Sequence, residues 1–192
     1  ANKESFTLYT SGDSPINYNY NTRSFVNIYQ NEKERYSTEY HRFESEINTY
    51  IALVNDDLTK VPNRTFSISL LIGHFIDNAV QISENELLVE RTDDSTDSGE
   101  YIRKRSFYSL VFEADGKTTF TSVEPPFPAE EVRSKGYRTV DGGKTWYLIL
   151  GEKNSTEAGL YAYDTETEEL TPILLNDPSA EGYIINFSII GP

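Results

Sequence analysis

The chain has 192 residues and carries 17 Lys and Arg against 31 Asp and Glu, a formal net charge of −14. That balance repels a polyphosphate backbone, so nucleic acid is excluded as the expected partner, and anionic membrane surfaces are disfavoured with it. The sequence holds no cysteine, which removes disulfides, thiolate metal sites and thiol nucleophiles, while an aromatic share of 13% argues against a disordered chain.

In chain order, Phe6 to Tyr9 alternates as a first strand and stops at Ser11-Gly12-Asp13-Ser14-Pro15. Ile16 to Tyr20 and Phe25 to Tyr29 follow, with the turn Asn21-Thr22-Arg23 between them. Residues 31–47 carry two patterns at once. Tyr36, Tyr40, Phe43 and Ile47 recur at helical spacing behind a possible Asn31 cap, yet the same residue types suit a bulged strand, and both readings stay open. Tyr50 to Val54 is a strand, and Pro62-Asn63 is expected to break the chain. Thr65 to Ile72 then sets Phe66, Ile68, Leu70 and Ile72 on one face. Val80 to Ile82 and Glu86 to Glu90 are short strands around Ser83-Glu84-Asn85. Phe107 to Glu113 and Lys117 to Val123 flank Asp115-Gly116 as a hairpin. Glu124 to Pro128 is an extended linker, because consecutive prolines cannot serve a central ladder. One helical turn is expected at 129–134. A last strand, Tyr183 to Ile190, is apolar on both faces.

The most informative stretch is 137–175. Trp146 to Leu150 follows the tight turn Asp141-Gly142-Gly143. Leu160 to Tyr163 and Leu170 to Leu175 then flank Asp164-Thr165-Glu166-Thr167. This strand–loop–hairpin order resembles one blade of a β-propeller. Within it, Thr139-Val140-Asp141-Gly142-Gly143-Lys144-Thr145-Trp146 resembles the Asp-box of sialidase-type propellers, Ser/Thr-x-Asp-x-Gly-x-Thr-Trp. The resemblance implies a structural role for Thr139, Asp141, Gly143, Thr145 and Trp146, with Asp141 accepting backbone N–H groups and Trp146 packing on the blade. The ending is also similar to the last repeat of propeller-type surface lipoproteins of Bacteroidetes-like bacteria. The arginine triad and Arg-Ile-Pro element of true sialidases are missing from the sequence.

Chemistry-bearing patterns are sparse. Arg91 to Glu100 is a dense acidic stretch that reads as a solvated loop, since the strict Asp-x-Asp-x-Asp-Gly spacing of a calcium loop is missing. His41 and His74 lack metal-ligand partners at short spacing. Gly-x-Ser-x-Gly, phosphate-loop and dinucleotide patterns do not occur. With 31 carboxylates every pair spacing is easily found, so none points to glycoside hydrolysis. Asn63, Asn154 and Asn186 begin glycosylation sequons that composition alone accounts for. Tyr18, Tyr20 and Tyr29 are the expected ligand-binding residues, because aromatic faces stack on sugars and anchor protein interfaces.

The units 48–76, 79–123 and 137–175 share a strand–turn–strand rhythm. The expected fold is therefore a single all-β domain over 1–192, antiparallel and built of propeller-like blades, with a β-sandwich or barrel as the alternative. No catalytic residue, metal or cofactor is expected. The expected function is non-catalytic binding of a glycan or protein outside the cytoplasm, the chain lacking a Met start and reading as a trimmed, exported product without a transmembrane segment. A glycoside hydrolase-like propeller and a structural assembly module are the rival readings.

Overall fold

The structure, a computed structural model, describes residues 17–19, 24–37, 42–55, 60–71, 74–97, 100–151, 157–176, 184 and 187. Among these residues the architecture is all-β and antiparallel. Twelve strands form three four-stranded sheets, each built from consecutive strands. The first sheet contains β1 (Asn17–Asn19), β2 (Ser24–Ser37), β3 (Arg42–Asn55) and β4 (Lys60–Leu71). The second contains β5 (His74–Gln81), β6 (Glu86–Asp97), β7 (Glu100–Phe112) and β8 (Thr118–Val123). The third contains β9 (Val132–Arg138), β10 (Thr145–Leu150), β11 (Gly159–Asp164) and β12 (Leu170–Leu175). In every sheet the spatial order follows the chain order, an up-and-down antiparallel meander.

The second sheet lies between the other two, and its sequence shows why. Leu87, Leu88 and Val89 are all 2% exposed or less, so β6 is apolar on both faces. Leu87, Val89, Leu110 and Phe112 pack with Ile51, Leu53 and Leu70 of the first sheet. Leu88 and Phe107, on the opposite face, pack with Val132, Tyr137, Trp146 and Leu148 of the third. Phe127, from the proline-rich connection, is buried in that second core against Trp146 and Tyr137, with ring centroids 5.0 Å from each. An edge-strand alternation is clear on β4, where Ser67 and Ser69 are exposed while Leu70 is buried and Phe66 and Ile68 face inward.

Several expectations are corrected. Of the two readings left open for residues 31–47, the described residues show the strand and not the helix. β2 and β3 pair without a break from Ser24↔Asn55 to Ser37↔Arg42, so Tyr36 and Phe43 face each other across a hairpin. The register places Lys33 opposite Glu46 and Arg35 opposite Glu44, positions at which opposite charges favour a ladder. Pro62-Asn63 does not end a strand. It sits in a bulge of β4, where pairing steps from Ala52↔Thr65 to Val54↔Lys60 and Asn63 adopts φ +58°. The acidic stretch 91–97 is not a loop but the end of β6, paired with β7 from Arg91↔Ser106 to Asp97↔Glu100. Residues 129–131 form a turn rather than a helical turn, and β9 begins at Val132. The units divide at 71–74 and 123–132, so the last sheet starts at Val132 and not at residue 137. The strands expected at Phe6–Tyr9 and Tyr183–Ile190 fall outside the described residues, apart from Ile184 and Phe187, which are not in a strand.

Candidate functional site

The most heavily charged interior lies where the second and third sheets meet. Its first element is Glu90, the residue that follows Leu87-Leu88-Val89 on β6. Its side chain is fully buried, which a carboxylate tolerates only with a partner. Arg105 of β7 supplies it: Nε donates to Glu90 Oε1 at 2.6 Å. The same guanidinium donates through Nη1 to the carbonyls of Ala129 at 2.9 Å and Val132 at 2.6 Å. One arginine thus neutralises a buried anion and ties β7 to the segment that opens the third sheet.

The second element is a wide bulge in β9. Tyr137 pairs with Leu148 and Val132 with Leu150, so the four residues 133–136 have only Ile149 opposite them. Lys135 sits inside the bulge with φ +63°, an uncommon conformation for a side-chain-bearing residue. Gly136 fits closely there, since an added Cβ would lie 3.0 Å from the Arg133 carbonyl oxygen and 3.1 Å from Ile149 Cβ and would push its neighbours by a few tenths of an ångström. The freed main-chain groups find partners. The Lys135 N–H donates to Glu90 Oε2 at 3.3 Å, and Arg138 Nη1 donates to the carbonyls of Lys135 and Tyr137 at 2.9 and 2.6 Å. Arg133 Nε donates to the Gly151 carbonyl at 3.0 Å. Lys135 Nζ approaches Asp77 of β5 at 3.6 Å, linking the first strands of the two sheets.

Tyr137 completes this cluster. Its hydroxyl is buried and faces Glu90 and Asn78 without closing a hydrogen bond of standard geometry. Burial pushes the phenol well above its ordinary range, and the negative charge of Glu90 adds to the effect while Arg105 opposes it. Burial lowers Arg138 from the usual guanidinium range, against the pull of Tyr137 and Glu90.

A second cluster lies on the other face of the second sheet. His74 Nδ1 is 2.5 Å from Asp93 Oδ1, so the ring donates its Nδ1 proton there, and Arg91 Nε donates to the same oxygen at 2.7 Å. Arg91 Nη2 also lies 2.9 Å from His74 Nδ1. Burial alone would raise Asp93, but the hydrogen bonds from His74 and Arg91 hold it below the usual carboxylate range. Asp94 is paired with Arg103 at 2.9 Å. Asp93 and Asp94 therefore face cations, and among the described residues no group of three or more His, Asp or Glu is arranged to hold a metal ion.

The stretch 139–146 folds into a tight hairpin held by its own side chains. The N–H of Thr145 donates to Asp141 Oδ1 at 2.9 Å, and the Gly143 N–H donates to Thr139 Oγ1 at 3.0 Å. Thr139 Oγ1 donates to Asp141 Oδ1 at 3.0 Å. Gly142 and Gly143 take φ +78° and +86°, which glycine adopts without a Cβ clash. Trp146 is fully buried and its Nε1 donates to the Gly143 carbonyl at 3.0 Å. The neighbouring turn repeats the device, with Asp164 Oδ1 accepting from the N–H groups of Glu166 and Thr167 at 2.9 Å each. All these groups are spent on backbone geometry.

Burial would raise Asp141, but hydrogen bonds from Thr145, Thr139 and Lys144 hold it below its ordinary 3.8. A depressed folded value means the stabilisation is present above the unfolded value and disappears as pH falls through the folded one. Asp141→Ala is expected to lower stability by about 1 kcal/mol at neutral pH, and the gap to the parent chain should narrow below about pH 4. Urea unfolding at pH 7 and pH 3 checks both the size and the direction.

Of the expected ligand-binding tyrosines, Tyr18 lies on β1 opposite Phe25 and Tyr29 on β2 opposite Tyr50, both in the first sheet. Tyr20 and His41 lie outside the described residues. Sequence reasoning placed Glu90 on a strand without marking it. The signal was available: a carboxylate ending a run of three apolar residues on a strand buried from both sides. The bulge of β9 had no comparable signal, because Arg133-Ser134-Lys135-Gly136 reads as an ordinary polar connection.

No protein-family profile matches the chain, and no curated protein matches it. Among solved structures, a luciferin-regenerating enzyme aligns with a TM-score of 0.34 and 13% identity, over 84% of this chain and 59% of its own. The chain thus spans somewhat more than half the length of that protein.

Proposed function

We infer that the chain is a non-catalytic binding module, working in a bacterial envelope or extracellular setting, with a glycan or a protein as ligand. The sheets act as propeller-like blades, and Thr139, Asp141, Gly143, Thr145 and Trp146 serve as a structural Asp-box. The observation that supports binding over hydrolysis is the state of the carboxylates. Asp93, Asp115, Asp141 and Asp164 are all held below the carboxylate range by hydrogen bonds, and the buried Glu90 is neutralised by Arg105. A glycosidase needs the opposite, a carboxyl group kept protonated to serve as general acid. Groups locked in this way hold a scaffold rigid, and rigidity lowers the cost of binding.

Tyr18, Tyr20 and Tyr29 are the binding residues of this proposal. A glycan array together with a pull-down from an extracellular fraction tests it. The expected result is one saturable ligand that the protein leaves unaltered, with Tyr18→Ala and Tyr29→Ala each weakening the complex about tenfold. Empty results from both screens, or turnover of a substrate by the purified chain, would overturn it.

A further inference from the structure

Four buried polar atoms around the Glu90 cluster have no protein partner: Tyr137 Oη, Thr92 Oγ1, Ser134 Oγ and Arg105 Nη2. They belong to one neighbourhood. Thr92 is directly opposite Arg105 in the β6–β7 ladder, Arg105 is bonded to Glu90, Tyr137 faces Glu90, and Ser134 precedes the residue whose N–H donates to Glu90. Thr92 and Tyr137 are fully buried.

The hydrogen-bonding inventory states what is needed. Arg105 Nη2 carries two N–H donors and the three hydroxyls carry one each. Glu90 accepts one bond on each oxygen, from Arg105 Nε and from the Lys135 N–H, and each oxygen keeps a lone pair that a further donor can fill. The Ala129 and Val132 carbonyls are taken by Arg105 Nη1. Leaving several donors of this kind dry would cost more than a marginally stable fold tolerates. An occupant must accept from a guanidinium and from hydroxyls while donating back to a carboxylate. An anion fails beside Glu90, and an apolar group satisfies nothing. Water does both, and internal water occurs at about one site per 27 residues in globular proteins.

We propose that Thr92, Arg105, Tyr137 and the β9 bulge share an internal hydration site, whose ordered water bonds these groups and holds the bulge against the second sheet. The bulge withdraws residues 133–136 from the ladder, and water supplies bonds that the ladder no longer provides.

Tyr137→Phe and Thr92→Val test this in the full 192-residue chain, each removing a hydroxyl while keeping the side-chain shape. With bridging water, each variant leaves the water one partner short and lowers the thermal midpoint by about 2–6 °C. The double variant then loses less than the sum, because both act through the same water. Oxygen-17 relaxation dispersion should count fewer long-lived waters in each variant. Dry hydroxyls reverse the sign: the midpoint stays or rises, the count of long-lived waters is unchanged, and the proposal is overturned. A direct Tyr137–Glu90 bond would lower the midpoint only in Tyr137→Phe with the water count retained, which also overturns it.

Discussion

Arg105→Met is expected to lower the unfolding free energy by about 3–5 kcal/mol, the range for breaking a buried ion pair on one side. The variant keeps an unbranched stem of similar length but strands Glu90, whose side chain is fully buried. It also removes the donors to the Ala129 and Val132 carbonyls, so the start of the third sheet loses its anchor. Adding Glu90→Leu separates the two effects. An apolar pair replacing a buried ion pair is often close to neutral, so the double variant should recover most of the loss. The remainder reports the lost Arg105 bonds to the Ala129 and Val132 carbonyls, the first of which keeps the Val132 N–H at 3.3 Å, and the Lys135 N–H that loses Glu90 as acceptor. Equilibrium denaturation of the parent, both single variants and the double variant gives the coupling energy directly. A coupling near zero would mean that Glu90 and Arg105 stabilise the interface independently, against the geometry.

Trp146→Ala should cost about 3–5 kcal/mol, the usual penalty for emptying a large aromatic site in a packed core. The indole is fully buried and sits against Phe127 and Tyr137, with centroids 5.0 and 6.0 Å away. Those contacts join β10, β9 and the proline-rich connection to Leu88 and Phe107 of the second sheet. Trp146→Phe should cost less. It retains most of the apolar surface and loses the N–H bond to Gly143, whose carbonyl keeps Thr165 Oγ1 at 3.3 Å. Trp146 is also the only tryptophan, so intrinsic fluorescence reports this one site. The parent chain should emit at short wavelength and shift red in a single step on unfolding. Circular dichroism follows the Ala variant, and a loss under about 1 kcal/mol would show that the core repacks around the gap.

Local structure was largely legible. Asp115-Gly116, Asp141-Gly142-Gly143 and Asp164 to Thr167 are turns in the sequence and in the fold, because an aspartate acceptor closes each, with a positive-φ glycine in the first two and Glu168 at φ +57° after the third. Period-two alternation located β4, and short apolar runs between turn signals located β10, β11 and β12, although Ile173, Leu174 and Leu175 of β12 are exposed. The errors came where partners outweigh local pattern. The strand reading of 31–47, left open beside the helical one, is the one that holds, and the acidic residues expected in a loop at 91–97 became a strand, with Asp93 opposite Lys104 and Asp94 opposite Arg103.

The candidate site belongs to the second kind. Glu90 and Arg105 are 15 residues apart and Glu90 and Lys135 are 45 apart, distances at which spacing carries no signal. The amino-acid sequence alone determined that this chain makes short antiparallel ribbons with capped turns, because those depend on neighbours a few residues away. Only the tertiary structure decided which ribbons share a sheet, which sheet lies in the middle, and which buried carboxylate meets which cation. Those outcomes follow from matching whole faces, where the desolvation of Glu90 must be offset by a guanidinium that only the packed sheets bring to it.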